Sequence, residues 1–308
     1  MSFHNNGTIA VMYHYVRDNK LENTLNLKSL SIVNFKKQLD WLEGNFKPMS
    51  FNEYNKCIKE NTPFPDNKFL LTFDDGLKDH YDHVYPELKK RNLWGMFYIN
   101  SQVFLEKNPL AVHITHFILD KIGVEKYTQL IQSKLEKYNI KLEVSYFDEI
   151  YRYDDASYKA VKKIMNYELD YKIRDVIIDE LFYDFFNSKE QFCNDVYCNE
   201  NEIEEMIKGG MVIGGHTHSH RVLSRLSSKE QFVELQRSAD YLKNRYSINE
   251  PIFSFPYGHI DTYNNKTLEH LHELNYHSAF NTVRGATCII KSGKYELQRY
   301  DTVDLYPH

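Results

Sequence analysis

Cysteine is scarce and unpaired: Cys57, Cys193, Cys198 and Cys288 are scattered over 308 residues, and none forms a CxxC pair. Cys193 and Cys198 could open a metal half-site, but no second half-site accompanies them. Free thiols in a reducing compartment are therefore expected, rather than a disulfide framework or a structural zinc cluster. No apolar run approaches the roughly 18 residues that would span a bilayer. The first seven residues lack the charged-then-apolar pattern of an export signal. These absences lead to the expectation of a cytoplasmic protein. Basic runs are missing too, and 38 Lys and Arg against 43 Asp and Glu leave a formal charge of −5. A nucleic-acid surface is not expected from that balance. Tryptophan is rare, 2 residues against 24 tyrosines. Aromatic rings suit sugar clefts, yet a Tyr-rich codon bias produces the same count, so no function follows from it.

What remains is an ordinary globular composition, 42% hydrophobic and 26% charged, long enough for one large domain or two smaller ones. Thr8–Tyr13 reads as a buried strand with His14 at its end. Between Ser31 and Asn45, Phe35, Leu39 and Leu42 recur at helical spacing. A strand over Phe69–Phe73, a helix through Tyr81, Val84, Tyr85 and Leu88, and a strand from Trp94 to Ile99 follow. This alternation predicts an α/β fold with a parallel sheet. From about Phe104 to Asn194 the rhythm changes: one proline (Pro109), one glycine (Gly123) and long helical stretches occur, as through Leu119, Ile122, Tyr127, Leu130 and Ile131. The strand–helix alternation resumes with a helix from Glu202 stopped by Gly209 and Gly210, and a short strand over Met211–Gly214. A helix over Ser228–Tyr246 follows, with Ser228 as N-cap and Gln231 at its capping-box position. Then come a strand from Ile252, a helix over Thr262–Leu274, a strand over Ser278–Thr282 and a last strand near Tyr295–Val303.

Three strand ends carry chemistry. In Phe69-Leu-Leu-Thr-Phe-Asp-Asp-Gly76 an apolar strand ends in two carboxylates. Adjacent strand residues face opposite sides, so both Asp74 and Asp75 serve one site only if the chain bends there. Gly76 makes such a bend cheap. The competing reading is a plain Asp-Gly turn. In Gly214-Gly-His216-Thr-His218-Ser-His220, His216 and His220 can reach one metal ion from a loop opened by the glycines, while His218 points away. The competing reading is solvated or core histidines. Asp75 is the natural third ligand, which leaves Asp74 free as general base. Such a two-His, one-carboxylate set suits zinc, although cobalt, nickel or iron would also bind. Phe253-Ser-Phe-Pro-Tyr-Gly258 is either a simple turn or a source of an outward N–H, that of Tyr257, able to hold an oxyanion.

In this order the three segments resemble the first three motifs of the polysaccharide deacetylase family, the NodB-homology domains of carbohydrate esterase family four. The resemblance covers about residues 8–103 and 197–304. It implies a distorted (β/α) barrel and a metal-dependent hydrolase acting on N-acetyl groups of sugars. Residue by residue, it makes Asp74 the base, Asp75, His216 and His220 the metal ligands, and the Tyr257 backbone the oxyanion donor. Two features depart from many members: Ser254 stands where an Arg is expected, and no late Leu-x-His motif is present. The chain is closer in pattern to the branch that includes poly-N-acetylglucosamine deacetylases. Met12-Tyr-His14-Tyr-Val16 matches an early motif of that branch and makes His14 the candidate general acid; a structural His closing the barrel is the competing reading. Arg299, in Leu297-Gln-Arg-Tyr, matches a late Arg that would orient Asp74, with a surface salt bridge as the alternative.

The expectation is thus one catalytic deacetylase barrel, 1–103 and 197–308, interrupted by a helical insertion at about 104–196. Its substrate would be an N-acetylated sugar or glycan used in cell-surface polysaccharide assembly. Hydrolysis of another acyl amide or ester, or a non-catalytic glycan-binding barrel, are the alternatives. Asp74 and His216 lie 142 positions apart, more than the intervening barrel units need. The insertion accounts for the excess, and it is expected to shape substrate access. A variant lacking it but retaining a folded barrel should show altered substrate selectivity in an acetate-release panel; unchanged selectivity would refute that role.

Overall fold

A computed structural model describes residues 7–18, 29–140 and 161–305. Their contacts form two compact units. One takes in the described residues up to Asp18, Ser29–Glu106 and those from Asn194 onward; the other lies within Lys107–Cys193.

The first unit is a barrel. Its strands are β1 (Thr8–Tyr13), β2 (Lys47–Pro48), β3 (Lys68–Phe73), β4 (Met96–Ile99), β5 (Val212–Gly215), β6 (Ile252–Ser254), β7 (Ser278–Arg284) and β8 (Leu297–Asp301). Neighbours in the order β1-β3-β4-β5-β6-β7-β8 pair in parallel, and β8 returns to β1, which closes a seven-stranded ring. The two-residue β2 pairs with the start of β3, at Lys68 and Phe69, while β4 pairs further along at Thr72 and Phe73. The ring is thus a (β/α) barrel distorted by one short, displaced strand.

Period-2 patterning sorts the side chains. Ile9, Val11, Tyr13, Phe69, Leu71, Phe73, Phe97 and Ile99 pack outward, with Phe35, Leu39 and Leu42 of helix α1 (Ile32–Asn45) in the same cluster. Ala10, Leu70, Met96, Tyr98, Ile252, Phe280 and Leu297 fill the interior. Continuing the inward parity toward the strand ends gives Thr72 and then Asp74 after β3, Ser254 on β6 and Arg299 on β8. The sequence pattern that builds the core therefore also delivers four polar groups to the upper layer of the barrel.

The remaining helices of this unit are α2 (Phe51–Glu60), α3 (Tyr85–Lys90) and α4 (Ser101–Glu106), then α5 (Glu200–Lys208), α6 (Ser228–Tyr246), α7 (Asn265–Glu273) and α8 (Ile289–Ser292). Several expected boundaries shift. Helix α2 was not anticipated; a reciprocal capping box between Ser50 and Glu53 starts it. The N-cap of α6 is Ser227 with Glu230, one residue before the expected Ser228 and Gln231. Helix α7 starts after Asn264 rather than at Thr262. One turn of π-helix, His80–Val84, precedes α3.

In the second unit the helix Ala111–Lys137 is broken at Gly123, whose φ is 78°. Phe117, Phe182 and Phe186 pack their rings on Phe192 at 5.2, 5.6 and 4.9 Å.

Strand β5 takes in Gly214, as expected, and Gly215 as well, so the loop opens at His216 rather than at the glycines, which corrects that part of the expectation. A Cβ on Gly214 would lie 2.6 Å from both the Ile252 carbonyl oxygen and its Cγ1. Close approach of β5 to β6 is what requires glycine. Gly214→Ala should destabilise the fold by about 1–3 kcal/mol, read as a lower midpoint in urea unfolding; an unchanged midpoint would show that the strands can part at no cost.

Candidate active site

The bend required after β3 occurs at Asp75 itself. Its φ is 77°, followed by 65° at Gly76. The left-handed backbone turns the Asp75 carboxylate to the same side as that of Asp74. Thr217 (φ 65°), His220 (58°) and Tyr257 (61°) adopt the same conformation on the two neighbouring loops. Non-glycine residues there cost about 1–2 kcal/mol each, and such strain concentrates at functional sites. The Thr217 hydroxyl accepts from the His220 amide at 3.0 Å and holds one of these turns.

Asp75, His216 and His220 converge. Asp75 Oδ1 lies 3.4 Å from His216 Nε2 and 3.3 Å from His220 Nε2, and all three side chains are buried. The His216 Nδ1–H donates to the Ser254 carbonyl at 2.7 Å, because a carbonyl can only accept. Burial, first of all, pushes the His216 imidazole down to about 4, so it is neutral near pH 7. Its Nε2 therefore presents a lone pair to a carboxylate oxygen. Two acceptors so arranged repel unless a cation lies between them. Ligands about 2.0–2.1 Å from a tetrahedral ion stand roughly 3.3 Å apart, the separation found here. The donor set fits a divalent metal, and the Ser254 contact is the outer-shell bond that fixes a ligating histidine.

Asp74 occupies a different environment. Arg299 grips it with two parallel bonds, Nη1 to Oδ1 and Nη2 to Oδ2, both 2.9 Å, and the Ser254 hydroxyl donates to Oδ2 at 3.1 Å. Burial works against ionisation of this carboxyl, but the charge of Arg299 and its hydrogen bonds outweigh it and hold the pKa below the usual carboxylate range. Arg299 is 1% exposed, which rules out the surface salt bridge considered from the sequence. His14 follows β1 directly beside this point, where the Asp74 amide donates to the Tyr13 carbonyl at 3.0 Å. The Tyr257 ring meets that of His220 edge-on at 4.9 Å. His218 turns away, with Nδ1 2.8 Å from the Ser101 hydroxyl and Nε2 3.1 Å from Glu106.

Three residues do not stand out in the sequence. Ser254 was noted only as an absent arginine, yet its hydroxyl and carbonyl touch Asp74 and His216 respectively. Asp79 and His80 carried no motif at all. Their adjacency to Asp75 in sequence was the one available signal.

Residues 181–279 match the protein family described as polysaccharide deacetylase. An 85-residue segment is 29% identical to the poly-beta-1,6-N-acetyl-D-glucosamine N-deacetylase of Escherichia coli K12; it covers 27% of this chain and 12% of that protein. Among solved structures, the deacetylase PplD of Streptococcus pyogenes in complex with acetate superposes with a TM-score of 0.59 at 18% identity, over 96% of this chain and 92% of that one. IcaB from Ammonifex degensii gives 0.56 at 18% identity, over 96% and 91%. At these identities the likeness concerns the fold.

The two buried neutral histidines predict an acid-labile fold. His80 and His216 are both lowered from 6.5 to about 4, chiefly by burial. The unfolded chain binds more protons between these values, so the stability they contribute is present above about 6.5 and is lost as pH falls toward about 4. Urea midpoints of the metal-free protein should decline across that window; a flat profile would show that these rings are not buried neutral.

Proposed function

We propose that this chain, a barrel of the polysaccharide deacetylase family, is a metal-dependent hydrolase that removes an N-acetyl group from an amino sugar or glycan during cell-surface polysaccharide synthesis. The observation that carries the reading is the pairing of two carboxylates made unlike by their surroundings. Asp75 faces two histidine nitrogens, and Asp74 is held as an anion by Arg299. One is placed to ligate and the other to accept a proton. The similar proteins, a poly-beta-1,6-N-acetyl-D-glucosamine N-deacetylase and a deacetylase in complex with acetate, support acetyl transfer to water as the reaction type.

A divalent ion held by Asp75, His216 and His220, most simply zinc, would supply Lewis acidity toward water and the acetyl carbonyl. Asp74 takes the proton that water releases as it adds to the acetyl carbon. Its bidentate tether keeps the carboxylate aimed and ionised, at the expense of basicity. The Tyr257 N–H, on a strained turn beside His220, is the donor assigned to the developing oxyanion. Breaking the C–N bond requires a proton at nitrogen, since an alkylamide anion is not a viable leaving group. His14 is the assigned donor. Acetate and a free amino sugar result, and the proton taken by Asp74 returns to solvent.

The decisive comparison is acetate release from N-acetylglucosamine oligomers by wild type, Asp74→Asn and His216→Ala, with metal content measured alongside. Asp74→Asn should lower turnover at least about 100-fold while keeping one divalent ion per chain; His216→Ala should lose the ion. Loss of metal in Asp74→Asn would mean that the two carboxylate roles are exchanged. A wild type that binds metal and oligomer without releasing acetate would favour a glycan-binding barrel.

A further inference from the structure

The loop that carries His14 is held from one side by two consecutive residues. His80 is wholly buried, with its ring between Phe73 at 5.5 Å and Phe97 at 5.8 Å. Its Nε2 lies 3.0 Å from the His14 carbonyl oxygen, so that nitrogen carries the proton and donates. Asp79, 6% exposed, accepts from the Val16 amide at 3.1 Å and from Arg17 Nε at 2.7 Å. Between them, the pair binds the main chain on both sides of Tyr15 and the side chain of Arg17. Both sit at the start of the π-turn, four and five residues after Asp75 on the same loop. Extra turns of this kind are frequent at functional sites. On its far side the His14 loop is stitched to Leu30: Arg17 N–H donates to the Leu30 carbonyl and Leu30 N–H to that of Tyr15, both at 3.0 Å.

No carboxylate lies within ion-pair distance of the His14 ring among the described contacts. An acid must reach the leaving nitrogen within hydrogen-bond distance, and an error near 1 Å is costly. With no such grip on the ring among the described residues, its aim depends on where the backbone places it.

We propose that Asp79 and His80 are positioning residues that clamp the backbone of the His14 loop and so aim His14 at the leaving nitrogen. This rests on His14 being the acid, as proposed above. The clamp makes the base, one metal ligand and the support of the acid parts of one short segment, Asp74 to His80. Displacement of the β3 loop would move all three together.

The test separates proton donation from everything else by changing the leaving group. An N-acetyl oligomer needs a proton at nitrogen. 4-Nitrophenyl acetate does not, since its phenolate leaves unaided. His80→Phe keeps a ring between Phe73 and Phe97 and removes the donor; Asp79→Asn is isosteric and serves if the first fails to fold. Both should lower kcat for the oligomer about 10- to 100-fold, with KM and metal content unchanged and ester hydrolysis within about twofold of wild type. In a His14→Ala background the same substitutions should cost nothing further, because coupled residues are not additive. His80→Asn, which restores a donor, should recover part of the loss. Equal losses on oligomer and ester, or an undiminished loss in the His14→Ala background, would overturn the clamp. If His14→Ala alone leaves oligomer hydrolysis intact, the assignment of His14 as acid falls, and the clamp with it.

Discussion

The buried pair between Asp74 and Arg299 is the constraint around which the barrel's upper layer is built. A guanidinium has five N–H donors, and here each finds an acceptor. Nε meets the Asn281 carbonyl, Nη1 meets Thr72 Oγ1 and Asp74 Oδ1, and Nη2 meets Asp74 Oδ2 and Ser254 Oγ. Two charges removed from water are tolerable only with such complete satisfaction, and loss of one partner typically costs about 3–5 kcal/mol. The acceptors come from β3 and its end, β6 and β7, while the donor comes from β8. A slip of one residue in any of these strands would turn its contribution out of the barrel. The pair therefore specifies register as much as it keeps Asp74 ionised. Ser254 extends it to the His216 side, because the same residue that touches Asp74 also fixes the tautomer of His216.

Around that rigid layer sits a rim of strain. Asp75, Thr217, His220 and Tyr257 all carry left-handed backbone without being glycine. Local preference and global fold disagree at these four positions, which is the signature of a place where something other than stability is being satisfied. The neighbouring polar network offsets the strain.

Much of this was legible because it is local. The short apolar runs of β1 and β3, buried on both faces, read as strands of a parallel sheet, and the carboxylates mark where β3 stops. The three loops with paired carboxylates, spaced histidines and Pro-Tyr-Gly stood out for their residue types. What was not legible depends on partners distant in sequence. Ser227 and Ser228 each begin a possible capping box; Glu230 prevails over Gln231 because a carboxylate adds charge at a helix N-terminus. The need for glycine at 214 does not show until β6 is seen lying against it. Nothing in Leu-Gln-Arg-Tyr shows that Arg299 is buried, since its partner is 225 positions away. His80 is an unremarkable histidine until Phe73 and Phe97 enclose it.

The placement of Arg299 on β8 has a consequence for how the protein is made. Strand β8 follows all the other strands of the ring and pairs with both β7 and β1. During synthesis, every strand from β1 to β7 is complete while the ring still has open edges at β1 and β7, and Asp74 has no counter-charge. A ribosome-bound chain at that stage carries unpaired parallel edges and an anion that resists being enclosed. Such an intermediate should remain loosely collapsed, open to chaperones and to its neighbours, and lock only when the arginine strand emerges. Folding of this barrel is thus weighted toward the emergence of its closing strand rather than spread along the synthesis of the strands before it.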